Sequence, residues 1–212
     1  MGTEPRTSYG PRMTAHDFDD VLAFWLGELD GEGCASDESS ARWWKKSDAF
    51  DAEIRERFGP VHQAICEDGC LAWLASPEGR VAYVIVLDQL SRNMLRGDPS
   101  MYDQDGRAQR VALEGIDAGC DAALGYHARY FLYMPLMHAE DLALQDRCVA
   151  LFESMNAAFP KKAADVTRAV GYAVKHRDIV ARFSRFPHRN AILGRPSTEH
   201  EIEFLKGPGS SF

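Results

Sequence analysis

Three stretches of this sequence hold more polar chemistry than a helix core requires. In "LDQLSRN", Asp88 and Arg92 stand four residues apart, which puts them on one helix face. Such a pair is either a structural salt bridge that fixes a helix end or an arginine held by a carboxylate and presented to a ligand. In "PLMHAED", His138 and Asp141 are three apart, directly after Pro135. A helix restarted after a proline has free amides in its first turn, and Glu140 and Asp141 can answer its dipole. The same His138–Asp141 pair has the residue types for proton transfer or metal ligation. The third stretch, "KHRDIVARFSRFPHRN", brings His176, Arg177, Arg182, Arg185, His188, Arg189 and Asn190 close together.

His176 falls in a stripe with Val166, Ala169, Val170, Ala173, Val180 and Phe183, the usual setting of a satisfied core histidine. The arginines that follow cannot all be buried without partners. Two readings are open. In one, they meet Asp88, Glu140 or Asp141 in an internal ion-pair network. In the other, Arg92, Arg185 and Arg189 clamp a small anionic molecule, because guanidinium matches carboxylate and phosphate forks. His138 or His188 then handles protons, Asp141 or Asp88 orients it, and Trp44, Asn93, His176, Arg177 and Asn190 complete the lining. Trp44 belongs here because "WWKK" can give such a pocket an aromatic wall, with the other tryptophan in the core. A metal set of His138, Asp141, His176 and His188 lacks diagnostic spacing, so no metal is assigned. There is no Gly-rich phosphate loop, no H-E-x-x-H and no G-x-S-x-G, so no cofactor or reaction type follows.

These residues sit in an acidic chain. Its 212 residues carry 24 Lys and Arg against 32 Asp and Glu, a net charge of −8, which argues against nucleic acid. The charge is uneven: residues 14–41 hold eight acids and no Lys or Arg, whereas residues 175–195 hold six Lys and Arg against Asp178 alone. A basic strip in an acidic protein points to a small anion or an internal partner. Five scattered cysteines fit reduced thiols and a cytoplasmic setting. The longest apolar runs, "VAYVIVL" and "YFLYMPLM", are too short to cross a bilayer.

The elements that must position the polar stretches read as helices almost throughout. Thr14 with Asp17 has the spacing of a capping box before "DDVLAFWLGEL", and "DGEGCASDESS" reads as a loop. Ser47 can cap a helix that Gly59-Pro60 ends. Ser76-Pro77 starts another, through "EGRVAYVIVLDQLSRN". "DQDGRAQRVALEGIDAG" is helical and stops at a glycine. Pro135 splits the long segment that follows. Asp165 opens a helix to about Phe183, and Ser197 or Thr198 caps a last short one. The expectation is an all-α chain of stacked antiparallel helical hairpins: a polar, disordered lead over 1–13 and one helical domain over 14–212.

"VLAFWLGELDG", "RWWKKSDAFDAEIRERFG", "GRVAYVIVLDQLSRNMLRG", "FLYMPLMHAEDLALQDRCVALFE" and "HRDIVARFSRFPHRNAILGRPSTEHEIEFL" resemble the bacterial domain-of-unknown-function 924 family. The terminal "GPGSSF" fits as well, and the likeness runs from Asp17 to Phe212. It implies a tetratricopeptide-like, all-α fold, with shared polar segments at Asp88, Gln89, Arg92 and Asn93, at His138, Glu140 and Asp141, and at 176–178 and 185–190. Leu90 and Ser91 stand where the family pattern reads "FPRN", a departure that spares the charges and falls on the shape of that helix end. The family name carries no activity. Stacked hairpins curve and leave a concave face. The three stretches meeting there would make a His/Arg/carboxylate-lined pocket for a small anion, possibly that of an enzyme. The contrasting reading is a scaffold that holds a peptide or protein in its groove, with the arginines as structural ion pairs.

Overall fold

A computed structural model describes residues 17–211. Among them the chain is all-α, and its one β-type contact is an isolated bridge between Leu29 and Ala35. The helices are α1 (Phe18–Leu26), α2 (Asp37–Trp43), α3 (Asp48–Cys66), α4 (Pro77–Ile85), α5 (Ser91–Met94), α6 (Asp105–Asp117), α7 (Tyr126–Met137), α8 (Leu142–Ala158), α9 (Ala163–Phe183) and α10 (Glu199–Leu205). A π-helical turn, Val86–Leu90, joins α4 to α5 without a break. The lead over 1–13 and Thr14 lie outside the described residues. Asp17 is itself the N-cap of α1 and accepts from the Asp19 amide at 3.0 Å.

The apolar run ahead of Asp88 explains the architecture. Val81 through Leu87 are buried on every face, so this helix is central, with α1, α6 and α7 packed around it. Consecutive helices α7, α8 and α9 lie side by side through short links. Ser76 caps α4 by accepting from Gly79, and Ser47 caps α3 by accepting from Phe50. The first amides of α7 are taken by a distant loop: Tyr126 and His127 donate to the Glu32 and Gly33 carbonyls at 2.9 and 3.0 Å. That approach needs glycine at both Gly33 and Gly125, since a Cβ on either would fall within 2.7 Å of the other's Cα.

Three expectations about helix ends give way. Gly59-Pro60 does not end α3, which runs through Pro60 to Cys66. Pro60 is exposed, and Ile54, Phe58, Val61 and Ile65 keep one buried stripe across it, so packing outweighs the missing amide bond. Pro135 does not split its segment either. The helix continues to Met137, and the break falls at 138–141, where Gln145 Nε2 donates to the Met137 and Ala139 carbonyls at 2.6 and 2.8 Å. Finally, the second half of "DGEGCASDESS" is helical, because Ser36 caps α2 by accepting from Ser39.

Candidate functional site

The π turn carries the centre of the polar cluster. Asp88 is 1% exposed, and three side chains converge on its carboxylate: Gln89 Nε2 at 2.5 Å, Arg92 Nη1 at 2.7 Å and His138 Nδ1 at 2.8 Å. Arg92 reaches on to Asp105 at 2.9 Å. Asp105 also accepts from Arg189 Nη1 at 3.3 Å, and Arg189 Nη2 donates to the His138 carbonyl at 3.0 Å. The result is a closed ring: His138, Asp88, Arg92, Asp105, Arg189 and back to His138. Arg189 is held between the rings of Tyr102 and Phe186, 4.6 Å from each centroid. His176 lies beside His138, with ring centroids 6.3 Å apart, and Phe186 touches both His176 and His188 at 5.7 Å.

The electrostatics follow from burial and pairing. Burial alone would raise the Asp88 carboxyl, but Arg92 and His138 hold it well below the usual carboxylate range. Burial pushes Asp105 up despite Arg92. Burial pushes His138 down, against the pull of Asp88. It takes His176 down to about 3 and His188 to about 4. All three imidazoles are therefore neutral near pH 7. Because a carboxylate can only accept, His138 carries its proton on Nδ1 and keeps a lone pair on Nε2. His176 Nδ1 donates likewise to the Tyr172 carbonyl at 2.8 Å. Arg189 Nε and Asp105 Oδ1 are buried without a hydrogen bond, the kind of atom a water or ligand satisfies.

Of the residues singled out from sequence, the fold brings Asp88, Arg92, His138, His176, His188 and Arg189 together. The others have different duties. Asp141 is the exposed N-cap of α8, accepting from Leu144 at 3.0 Å, while the partner of His138 is Asp88. Asn93 faces α3, where it and Arg96 bind the buried Asp51 at 2.7 and 2.6 Å. Arg177 pairs at the surface with Asp146 and Asp178. Arg185 is taken by Glu201, and Asn190 bridges Ser197 and Arg195. Trp44 is 59% exposed beside Tyr130, and Trp43 is the packed member of that pair. Glu140 binds Arg195 in a fork at 2.5 and 2.8 Å and accepts from the Phe186 amide. The cluster is thus filled by its own ion pairs. Two surface clefts lie elsewhere, one of about 320 Å³ near Phe24 and Arg42 and one of about 310 Å³ near Arg182. Among the described residues no His, Cys, Asp and Glu group has the arrangement of a metal site.

Sequence reasoning missed Asp105 and Tyr102. Asp105 reads as an ordinary acid in a helix first turn, and Tyr102 sits in a short 3₁₀ turn, Pro99–Tyr102, that has no periodic signal. His62 was also missed. Its Nε2 lies 2.9 Å from the hydroxyl of Ser91, which also donates to the Val86 carbonyl at 3.3 Å and braces the π turn.

Comparison with known proteins agrees with this picture. The solved structure of a protein of unknown function, ATU0120, from Agrobacterium tumefaciens is similar over 90% of this chain and 97% of its own, at 34% identity and a TM-score of 0.76. No curated protein matches the chain. The family model described as "Bacterial protein of unknown function (DUF924)" matches residues 21–209, and the chain belongs to that family.

Proposed function

We propose that this protein binds a small anionic molecule at the His138–Asp88 cluster and moves a proton there through His138 Nε2. The observation that carries this reading is the 2.8 Å bond from His138 Nδ1 to a buried, ionised Asp88. That bond fixes the tautomer and aims a basic nitrogen away from the carboxylate, the arrangement general-base chemistry needs. Arg189 supplies the anion contact, since its Nε proton has no acceptor and its plane is clamped by Tyr102 and Phe186. Arg92 is spent on Asp88 and Asp105, so its duty is to keep both carboxylates in place. Burial of Arg92 and Arg189 favours this reading over a tetratricopeptide-like scaffold, whose peptide groove would need its arginines open to solvent.

The test is a thermal-shift screen of small carboxylates and phosphomonoesters against the wild type, His138→Gln and Arg189→Lys. A compound class that raises the melting temperature of the wild type and of neither variant supports the site. Equal shifts in all three proteins, or none with any compound, remove it. His138 Nε2 should also show a ligand-dependent ¹⁵N shift in the wild type.

A further inference from the structure

The cleft between the end of α9 and the start of α10 has a different chemistry from the His138 cluster. It encloses about 310 Å³ and is lined by Arg182, Phe183, Arg185, Thr198, His200 and Glu201. Among the described residues, Arg182 is the one arginine of the 175–195 strip without a carboxylate partner; Arg177, Arg185, Arg189 and Arg195 all have one. Its guanidinium instead lies over Phe183 and Phe204, 4.7 and 5.6 Å from their centroids. Those rings, themselves 5.0 Å apart, hold its plane and leave its N–H edge without a protein acceptor.

The opposite wall is anchored. Arg185 gives Nε and Nη2 to Glu201 at 2.6 and 2.8 Å, and Nη2 also donates to the Pro196 carbonyl at 2.9 Å. No protein atom accepts from its Nη1. Glu201, 2% exposed, is the single carboxylate in the lining, and it is already consumed by Arg185 and by the Thr198 amide at 2.7 Å. His200 stands exposed on the same wall with no bond to a described residue. The lining therefore carries two guanidinium groups against one neutralised carboxylate, in a protein whose net charge is −8.

We propose that this cleft binds a small oxyanion, the phosphoryl or carboxylate end of a small molecule, between the open edges of Arg182 and Arg185. Its volume is at the lower end for ligand sites, which suits one anionic group rather than a large molecule. Guanidinium edges already oriented by rings and by a fixed carboxylate lose little freedom on binding.

The experiment titrates the full chain separately with inorganic phosphate and with acetate at constant ionic strength, following arginine Nε–Hε signals by ¹⁵N NMR. We expect the Arg182 and Arg185 signals to move saturably with at least one anion. Movement with phosphate alone or with acetate alone identifies the anionic group, and movement with both supports a general oxyanion site. Arg182→Gln, which keeps the side-chain stem over the two phenyl rings, should weaken binding about tenfold. Arg177→Ala and His138→Gln should bind as the wild type does, which separates this cleft from the His138 site. The proposal is overturned if neither anion gives a saturable shift, or if Arg182→Gln binds with wild-type affinity.

Discussion

Asp88 shows how much one side chain can organise here. It accepts from Gln89, Arg92 and His138 at once while almost wholly out of water. Replacing it with Asn leaves Arg92 buried with half its partners. Asp88→Asn should therefore lower the unfolding free energy by about 3 kcal/mol or more, read from urea midpoints. A second outcome concerns pH. The imidazoles of His176 and His188 are pushed below their ordinary value, so the unfolded chain binds protons more readily than the folded one. Their contribution is fully present above about pH 6.5 and is lost as the pH falls toward about 4 and below. His176 alone should cost about 2 kcal/mol between pH 6.5 and 5. His176→Gln should flatten the slope of stability against pH over that interval. Asp88, depressed by Arg92 and His138 against burial, adds a further loss at lower pH. The sequence disclosed Asp88 and Arg92 because a spacing of four makes contact within one helix. It paired His138 with Asp141 for a similar local reason. The actual partner, Asp88, is fifty residues away and reachable only through the packing of α7 on α4.

Elements follow the local rules where those rules concern capping and depart where packing competes. Thr198 and Glu201 form the reciprocal capping box that starts α10, and the same Glu201 fixes Arg185. Thr198→Ala should cost about 1 kcal/mol by denaturation. Pro60 is the opposite case. It lies exposed inside α3, lacks an amide proton and persists because the buried stripe on the other face continues. Pro60→Ala should raise stability by about 1 kcal/mol or more, measured by the same urea transition, as the helical hydrogen bond is restored. Helix existence was legible because apolar periodicity survives a proline. The ends were less so, since the break at 138–141 is set by Asp141 and Gln145 and not by Pro135. The π turn had no sequence signal at all beyond the departure at Leu90 and Ser91.

Across the whole molecule the cohesive forces are divided. One large apolar cluster gathers residues from α1, α3, α4, α6, α7, α8 and α9. Ile179, Val180 and Phe186 form a small separate cluster, with Phe183 and Phe204 against it. Residues 184–211 are joined to the larger part by polar links: Glu140 with Arg195 and the Phe186 amide, Arg189 with Asp105 and the His138 carbonyl. Amide hydrogens of α10 should therefore exchange through an opening of lower free energy than those of α4, and Glu140→Gln should speed exchange in 184–211 while leaving α4 unchanged. The all-α character was visible from composition and period. This division was not, because the partners of the basic strip come from four separate segments. The π turn at Val86–Leu90 has its own bearing at this scale. A wide turn holds one residue more than the α-helix would at that point. Excising a single residue there would rotate everything downstream by about 100° relative to the buried face upstream. Arg92 would swing off Asp105 and Asn93 off Asp51, while the apolar run before them stayed seated. Along this central helix, substitutions are a matter of volume and charge, but chain length is fixed to the residue, so lineages carrying this site are expected to vary in letters at 86–90 and never in their number.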